Sequence, residues 1–170
     1  MIKDKVLAAL NQQVNHELTA RYLYLSLVAW FESKNLKGFA QFFRVQVDEE
    51  NIHATMIFDH INERGGKVTL LPLAQPRTDW DSPLDAYRDA LAWERRNTQQ
   101  IHDLTALASA ESDLATVQRM QWFIAEQVEE EAWAMEWVGK LELADNAPGA
   151  IFMLDKEAGA RPPAAPPTGA

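Results

Sequence analysis

The chain has 170 residues, enough for one domain with a sizeable core and too few for two. Hydrophobic residues make up 47% and charged residues 24%, an ordinary globular balance, and the absence of cysteine excludes disulfides, thiolate metal sites and cysteine nucleophiles. A formal net charge of -9 makes nucleic acid and anionic lipid poor partners and cations good ones. The first residues (Met1-Ile2-Lys3-Asp4-Lys5) lack an apolar signal stretch and no run is long enough to span a bilayer, so a cytoplasmic protein with no membrane partner is expected.

Apolar periodicity predicts four long amphipathic helices in chain order. The first runs from about Asp4 to Ser33. The second runs from about Lys37 to Arg64 and stops at Gly65-Gly66, a C-terminal signal. The third has Ser82 as N-cap, Pro83 at its first position and Asp85 three residues after the cap, and it continues to about Ser109. The fourth runs from near Ser112 to about Leu143, and a short fifth segment lies between Pro148 and Gly159. Only residues 67–73 tempt a strand assignment. The connection between the second and third helices is long and contains Pro72 and Pro76, whereas the other connections are short. A 28-residue helix is about 42 Å long, and an extended linker of 17 residues reaches roughly 55 Å, so this linker can travel the whole bundle. The predicted fold class is therefore all-α, a four-helix bundle with one long crossover and a short C-terminal fifth helix. Residues 1–158 form the expected domain, and the Pro/Ala-rich residues 159–170 read as an unstructured tail.

Residues seven apart lie about 20° apart around a helix, on nearly one face. Read in sevens, the first helix gives Leu10, Glu17, Tyr24 and Phe31; the second Phe43, Glu50 and Ile57; the third Tyr87, Glu94 and Ile101; the fourth Phe123, Glu130 and Trp137. Each helix thus carries one glutamate between apolar neighbours. His53, three residues after Glu50, and Gln127, three before Glu130, share the same stripes. One such glutamate could be a stripe edge reaching water. Four together, with no lysine or arginine at comparable positions near them all, would cost several kcal/mol each unless a multivalent cation or protonation neutralised them. Di-iron carboxylate bundles use one glutamate from each of two helices and a Glu-x-x-His pair from each of the others. Here Glu50-x-x-His53 is one such pair, while the fourth helix offers Gln127-x-x-Glu130. Oxygen-rich donors with one imidazole suit Fe(II), Mn(II) and Zn(II), so donor chemistry alone does not choose iron.

These residues resemble the non-haem bacterial ferritins. The resemblance spans residues 1–158 and rests on Asn15-His16-Glu17-Leu18 with Tyr24, Glu49-Glu50-Asn51-Ile52-His53, Glu94, the run from Gln121 to Glu131, and Ile151-Phe152-Met153-Leu154-Asp155-Lys156-Glu157 at the fifth helix. It implies a di-iron ferroxidase centre in which Glu17, Glu50 and His53 hold one iron, Glu50 bridges, and Glu94 and Glu130 hold the second with Gln127 close by. Tyr24 would lie beside the site and Trp122 nearby. Glu49, Glu126 and Glu129, with Glu130 shared, would make a third iron position. The resemblance further implies a homo-oligomeric shell of 24 subunits that takes ferrous iron, oxidises it with O2 or H2O2 and stores ferric mineral. Haem-containing relatives carry a second Glu-x-x-His pair and a haem-ligating methionine; the fourth helix lacks that histidine and Ile52 stands at the methionine's place, so no haem is expected. The fifth helix speaks against the dodecameric mini-ferritins, and its apolar Ile151, Phe152, Met153 and Leu154 mark an interface. A shell subunit with an impaired oxidation site and a di-iron oxygenase acting on an organic substrate share much of this donor set.

Overall fold

The computed structural model describes residues 2–164, and the last six positions of the Pro/Ala-rich tail lie outside the described residues. Five helices follow in order: α1 (Asp4–Ser33), α2 (Lys37–Glu63), α3 (Pro83–Ala110), α4 (Leu114–Ala144) and α5 (Pro148–Ala158). No strand occurs among the described residues, and 67–73 are irregular. The α2 stop follows from Gly65, whose φ of 72° is a left-handed conformation that glycine adopts without a Cβ penalty. At the start of α3, Ser82 Oγ accepts a hydrogen bond from Asp85 N at 3.2 Å. The fourth helix begins slightly later than the expected Ser112. Ser112 has φ 57°, and Asp113 is the cap, accepting from Thr116 N at 3.1 Å.

α1 packs on α2 and α3 on α4, with α1 also touching α3. The crossover climbs along α1: Asn11 bonds Lys67 O and Thr69 N near one end, and Ser26 Oγ donates to Arg77 O and Trp30 Nε1 to Asp79 further up. It therefore delivers α3 to the end where α1 finishes, so α2 and α3 run parallel. Lys3 pairing with Glu111 fixes the opposite end.

The interior divides into two apolar halves. One is aromatic and includes Tyr24, Phe31, Phe39, Phe42, Phe43, Tyr87 and Trp137; the other is mainly aliphatic and includes Leu10, Ile57, Ile61, Ile101, Met120 and Phe123. The four glutamates occupy the heptad position between these halves on each of α1 to α4, so a polar layer is held between two hydrophobic plugs that keep water out.

Only one side of α5 is covered. Ile151 and Leu154 pack on the aromatic half while Phe152 and Met153 are each 68% exposed. Residues three apart share a helix face, so half of the predicted interface patch docks on its own subunit and half remains open. Gly38 makes the approach feasible, since a Cβ there would sit 1.5 Å from Asp155 O, and Asp155 Oδ1 accepts from Phe39 N at 2.9 Å at the start of α2. No helix among the described residues is long and apolar enough to cross a membrane.

Candidate metal centre

Glu17, Glu50, Glu94 and Glu130 arrive from α1, α2, α3 and α4 and are each at most 3% exposed; His53 is 2% exposed. Their donor atoms gather in overlapping sets, each compact enough for one ion, with all atoms within 4.8 Å of one another: Glu17–Glu50–His53, Glu50–Glu94–Glu130, and His53–Glu126–Glu130. Glu50 belongs to the first two, which is the position a bridging carboxylate needs. His53 Nδ1 lies 3.5 Å from Glu50 Oε2 and 4.0 Å from Glu17 Oε2.

Among the described residues no lysine or arginine pairs with any of these four glutamates. Both Glu50 oxygens are buried without a hydrogen-bond partner. Burial, and after it the neighbouring Glu17 and Glu94 charges, holds the Glu50 carboxyl well above the usual carboxylate range. Burial and the Glu130 charge do the same for Glu94, and burial raises Glu130. A dry cluster of acids that repel one another and form no ion pair with lysine or arginine is a site that a divalent ion stabilises.

The remaining predicted residues divide. Tyr24 donates its hydroxyl proton to Glu94 Oε1, and Gln127 Nε2 donates to Glu94 Oε2 at 3.2 Å. Burial, with the surrounding carboxylate charges, holds the Tyr24 phenol well above its ordinary range, so it stays protonated and able to donate. Glu126 reaches the third set, its Oε1 3.9 Å from His53 Nε2. Glu49 belongs to none of the three sets and is half-buried against Arg161 instead; Glu129 is exposed and also outside them. Trp122 lies edge-on to His53 with ring centroids 5.4 Å apart.

Several buried polar residues around the glutamates escaped the heptad reading. Gln13 Nε2 lies 2.7 Å from both Glu17 Oε1 and Asn97 Oδ1, and Asn97 Nδ2 donates to Glu17 Oε2 at 3.3 Å. Glu130 Oε2 accepts from Gln46 Nε2 at 2.8 Å and from Trp133 Nε1 at 2.6 Å. Each of these donors sits three or four residues from a glutamate on its own helix: Gln13 and Glu17, Gln46 and Glu50, Glu94 and Asn97, Glu130 and Trp133. Their trace in the sequence is an offset of three or four from a glutamate, the spacing that also singles out His53 and Gln127.

A helical bundle with one crossover and a buried, water-excluded carboxylate–imidazole centre defines the ferritin-like class. The sequence matches the ferritin-like domain family over residues 7–144. It is 34% identical to the bacterial non-heme ferritin of Staphylococcus aureus over 161 residues, covering 95% of this chain and 97% of that protein. The Staphylococcus saprophyticus protein of the same name is also 34% identical, over 95% of this chain and 96% of its own length. Among solved structures, the open pore ferritin of the archaeon Archaeoglobus fulgidus superposes with a TM-score of 0.94 at 44% identity, covering 95% of this chain and all of that one. A humanized archaeal ferritin superposes with a TM-score of 0.95 at 42% identity, over 97% of this chain. The chain belongs to the ferritin family of iron-storage proteins.

Proposed function

We propose that the chain oxidises Fe(II) at a di-iron ferroxidase centre within each subunit, using O2 or H2O2, and stores the product as ferric mineral inside a 24-subunit cage in the cytoplasm. One observation carries the reading: Glu50 is shared by two compact donor sets built from four different helices. Glu17, Glu50 and His53 bind the first ferrous ion, and Glu50, Glu94 and Glu130 the second. Glu126, with Glu49, Glu129 and the shared Glu130, serves a third position from which iron passes toward the mineral. Family membership supports iron as the substrate, where donor chemistry alone leaves Mn(II) and Zn(II) open. No haem is required.

The protein's own groups do the positioning. Burial raises the carboxyls of Glu50, Glu94 and Glu130, and they give up protons as Fe(II) enters, so uptake releases protons and favours higher pH. Gln13, Asn97 and Gln127 orient Glu17 and Glu94 from behind. Tyr24 stabilises the charge on Glu94 and stands next to the site as an electron source. The hydrophobic halves on either side restrict water to what the substrates bring.

Aerobic addition of Fe(II) to metal-freed protein, with O2 uptake, particle mass and mineral followed together, tests this. Glu50→Ala is expected to slow early oxidation by at least about tenfold, the low end for losing even a group that only orients a ligand, with particle mass unchanged. Equal initial rates in the two proteins refute the bridging role, and a monomer or dimer by mass refutes the cage.

A further inference from the structure

The chain continues beyond α5 in a fixed direction. Ala158 is buried, Arg161 N donates to Ala158 O at 3.2 Å, and Gly159 passes so close to Gly38 that a Cβ would lie 3.2 Å from its Cα. This brings Arg161 back against the bundle. Its guanidinium lies over Phe42 with the carbon 4.2 Å from the ring centroid, and 5.9 Å from the Trp133 ring. Its Nη2 donates to Glu49 Oε2 at 2.7 Å, with the two side chains only 18% and 22% exposed. Glu49 immediately precedes Glu50, and Trp133 is the indole that donates to Glu130. A cationic side chain from the C-terminal segment therefore rests on a carboxylate and an aromatic at the edge of the metal centre.

We infer that Arg161 is a tethered cation that occupies the charge position of a third metal ion at Glu49, so that a third divalent ion binds there only by displacing it. The inference rests on the third position proposed at Glu49 and Glu126 beside the di-iron pair. Two observations favour it. Glu49 lies outside every compact donor set while Glu126, its proposed co-ligand, lies inside one. Arg161 is also held by a single charged contact, for its Nη1 is buried without an acceptor, so it can leave without breaking a two-pronged pair. Arg161 is thus a specificity residue: it sets the number of ions the centre holds at low metal concentration and couples the third one to the seating of the segment after α5.

Anaerobic titration of the metal-freed, full-length assembly with Co(II), counting bound ions by equilibrium dialysis and by the Co(II) visible spectrum, tests this. Wild type is expected to take two ions tightly and a third weakly. In Arg161→Gln the third association constant rises by at least about tenfold, because the ion no longer has to displace a guanidinium paired with Glu49. Arg161→Lys, which keeps the charge but loses the planar stack on Phe42, falls between wild type and Arg161→Gln, and Glu49→Gln added to Arg161→Gln abolishes the gain. A third constant equal in wild type, Arg161→Gln and Arg161→Lys overturns the inference while leaving two tight ions and the di-iron reading intact. Fewer than two tight ions in wild type overturns both.

Discussion

Tyr24 on α1 donates its hydroxyl hydrogen to Glu94 on α3, a contact between positions 70 residues apart that joins the aromatic half of the core to the acidic layer. The ring itself stacks on Phe43 with centroids 5.6 Å apart, so removing the hydroxyl alone leaves the packing in place. Tyr24→Phe is expected to slow Fe(II) oxidation several-fold while the particle mass stays unchanged. In metal-free protein it costs about 1–2 kcal/mol of stability, because a buried acceptor loses a partner. Stopped-flow oxidation paired with chemical denaturation separates the two roles: a stability loss with wild-type rates means the tyrosine only packs.

The acid cluster makes the metal-free protein carry strain that a neutral isostere relieves. Glu50→Gln is expected to stabilise the metal-free protein at neutral pH by about 1–3 kcal/mol, because the unfolded chain no longer gains from ionising a carboxyl whose ionisation the fold suppresses, while removing the stabilisation that Zn(II) or Co(II) gives wild type. Denaturation midpoints with chelator and with metal measure both halves, and a destabilised metal-free variant contradicts the account.

The pH dependence follows from the same groups. Burial and mutual repulsion raise Glu50 and Glu94 far above the ordinary carboxylate range, and burial raises Glu130. The folded state therefore holds protons that the unfolded state has released. Their stabilising contribution is complete below the unfolded carboxyl value of about 4.3 and is lost as pH rises through the raised folded values. With chelator present, wild type should lose stability over that window more steeply than Glu50→Gln, and saturating metal should reverse the slope. Calorimetry of both proteins across the window checks the sign.

Asn97 supports the centre without belonging to any donor set. It accepts from Gln13, donates to Glu17, and sits 3.5 Å from Gln127 Oε1. Asn97→Ala is expected to weaken the first ion by about ten- to a hundredfold, the usual cost of losing a group that orients a ligand. Calorimetric titration reads this directly; unchanged affinity shows that Gln13 alone suffices to orient Glu17.

Gly38 is the gate for α5. Gly38→Ala places a methyl group on the Asp155 carbonyl and must push α5 off the start of α2. A loss of about 2–3 kcal/mol is expected, the range for forced overpacking, with cleavage after α4 in limited proteolysis and little loss of helical signal. Resistance of the fifth helix to protease shows that it docks by other contacts.

Much of this was legible in one dimension. The four-helix pattern, the caps at Ser82 and Gly65 and the glutamate on each apolar stripe are properties of single helices, where a repeat of seven brings side chains onto one face whatever the neighbours do. The start of α4 was displaced because Ser112 and Asp113 both suit a helix N-terminus, and local backbone geometry chose Asp113. Gln13, Gln46, Asn97 and Trp133 were readable at spacings of three and four, but polar residues at those offsets are common, and only the facing helix distinguishes a buried donor from a solvated one.

By itself the chain's residue pattern determined an all-helical bundle with an acidic layer between two apolar plugs, since burial of a periodic stripe and the cost of an unpaired buried charge are both local arguments. Glu50's place in two donor sets is implied by the resemblance, but only the tertiary structure decided that Glu49 faces Arg161 while Glu126 faces His53, and that α5 keeps Phe152 and Met153 open. Those outcomes depend on the rotation and stagger of helices far apart in sequence, and a contact spanning 112 residues such as Arg161 with Glu49 leaves no periodic trace along the chain.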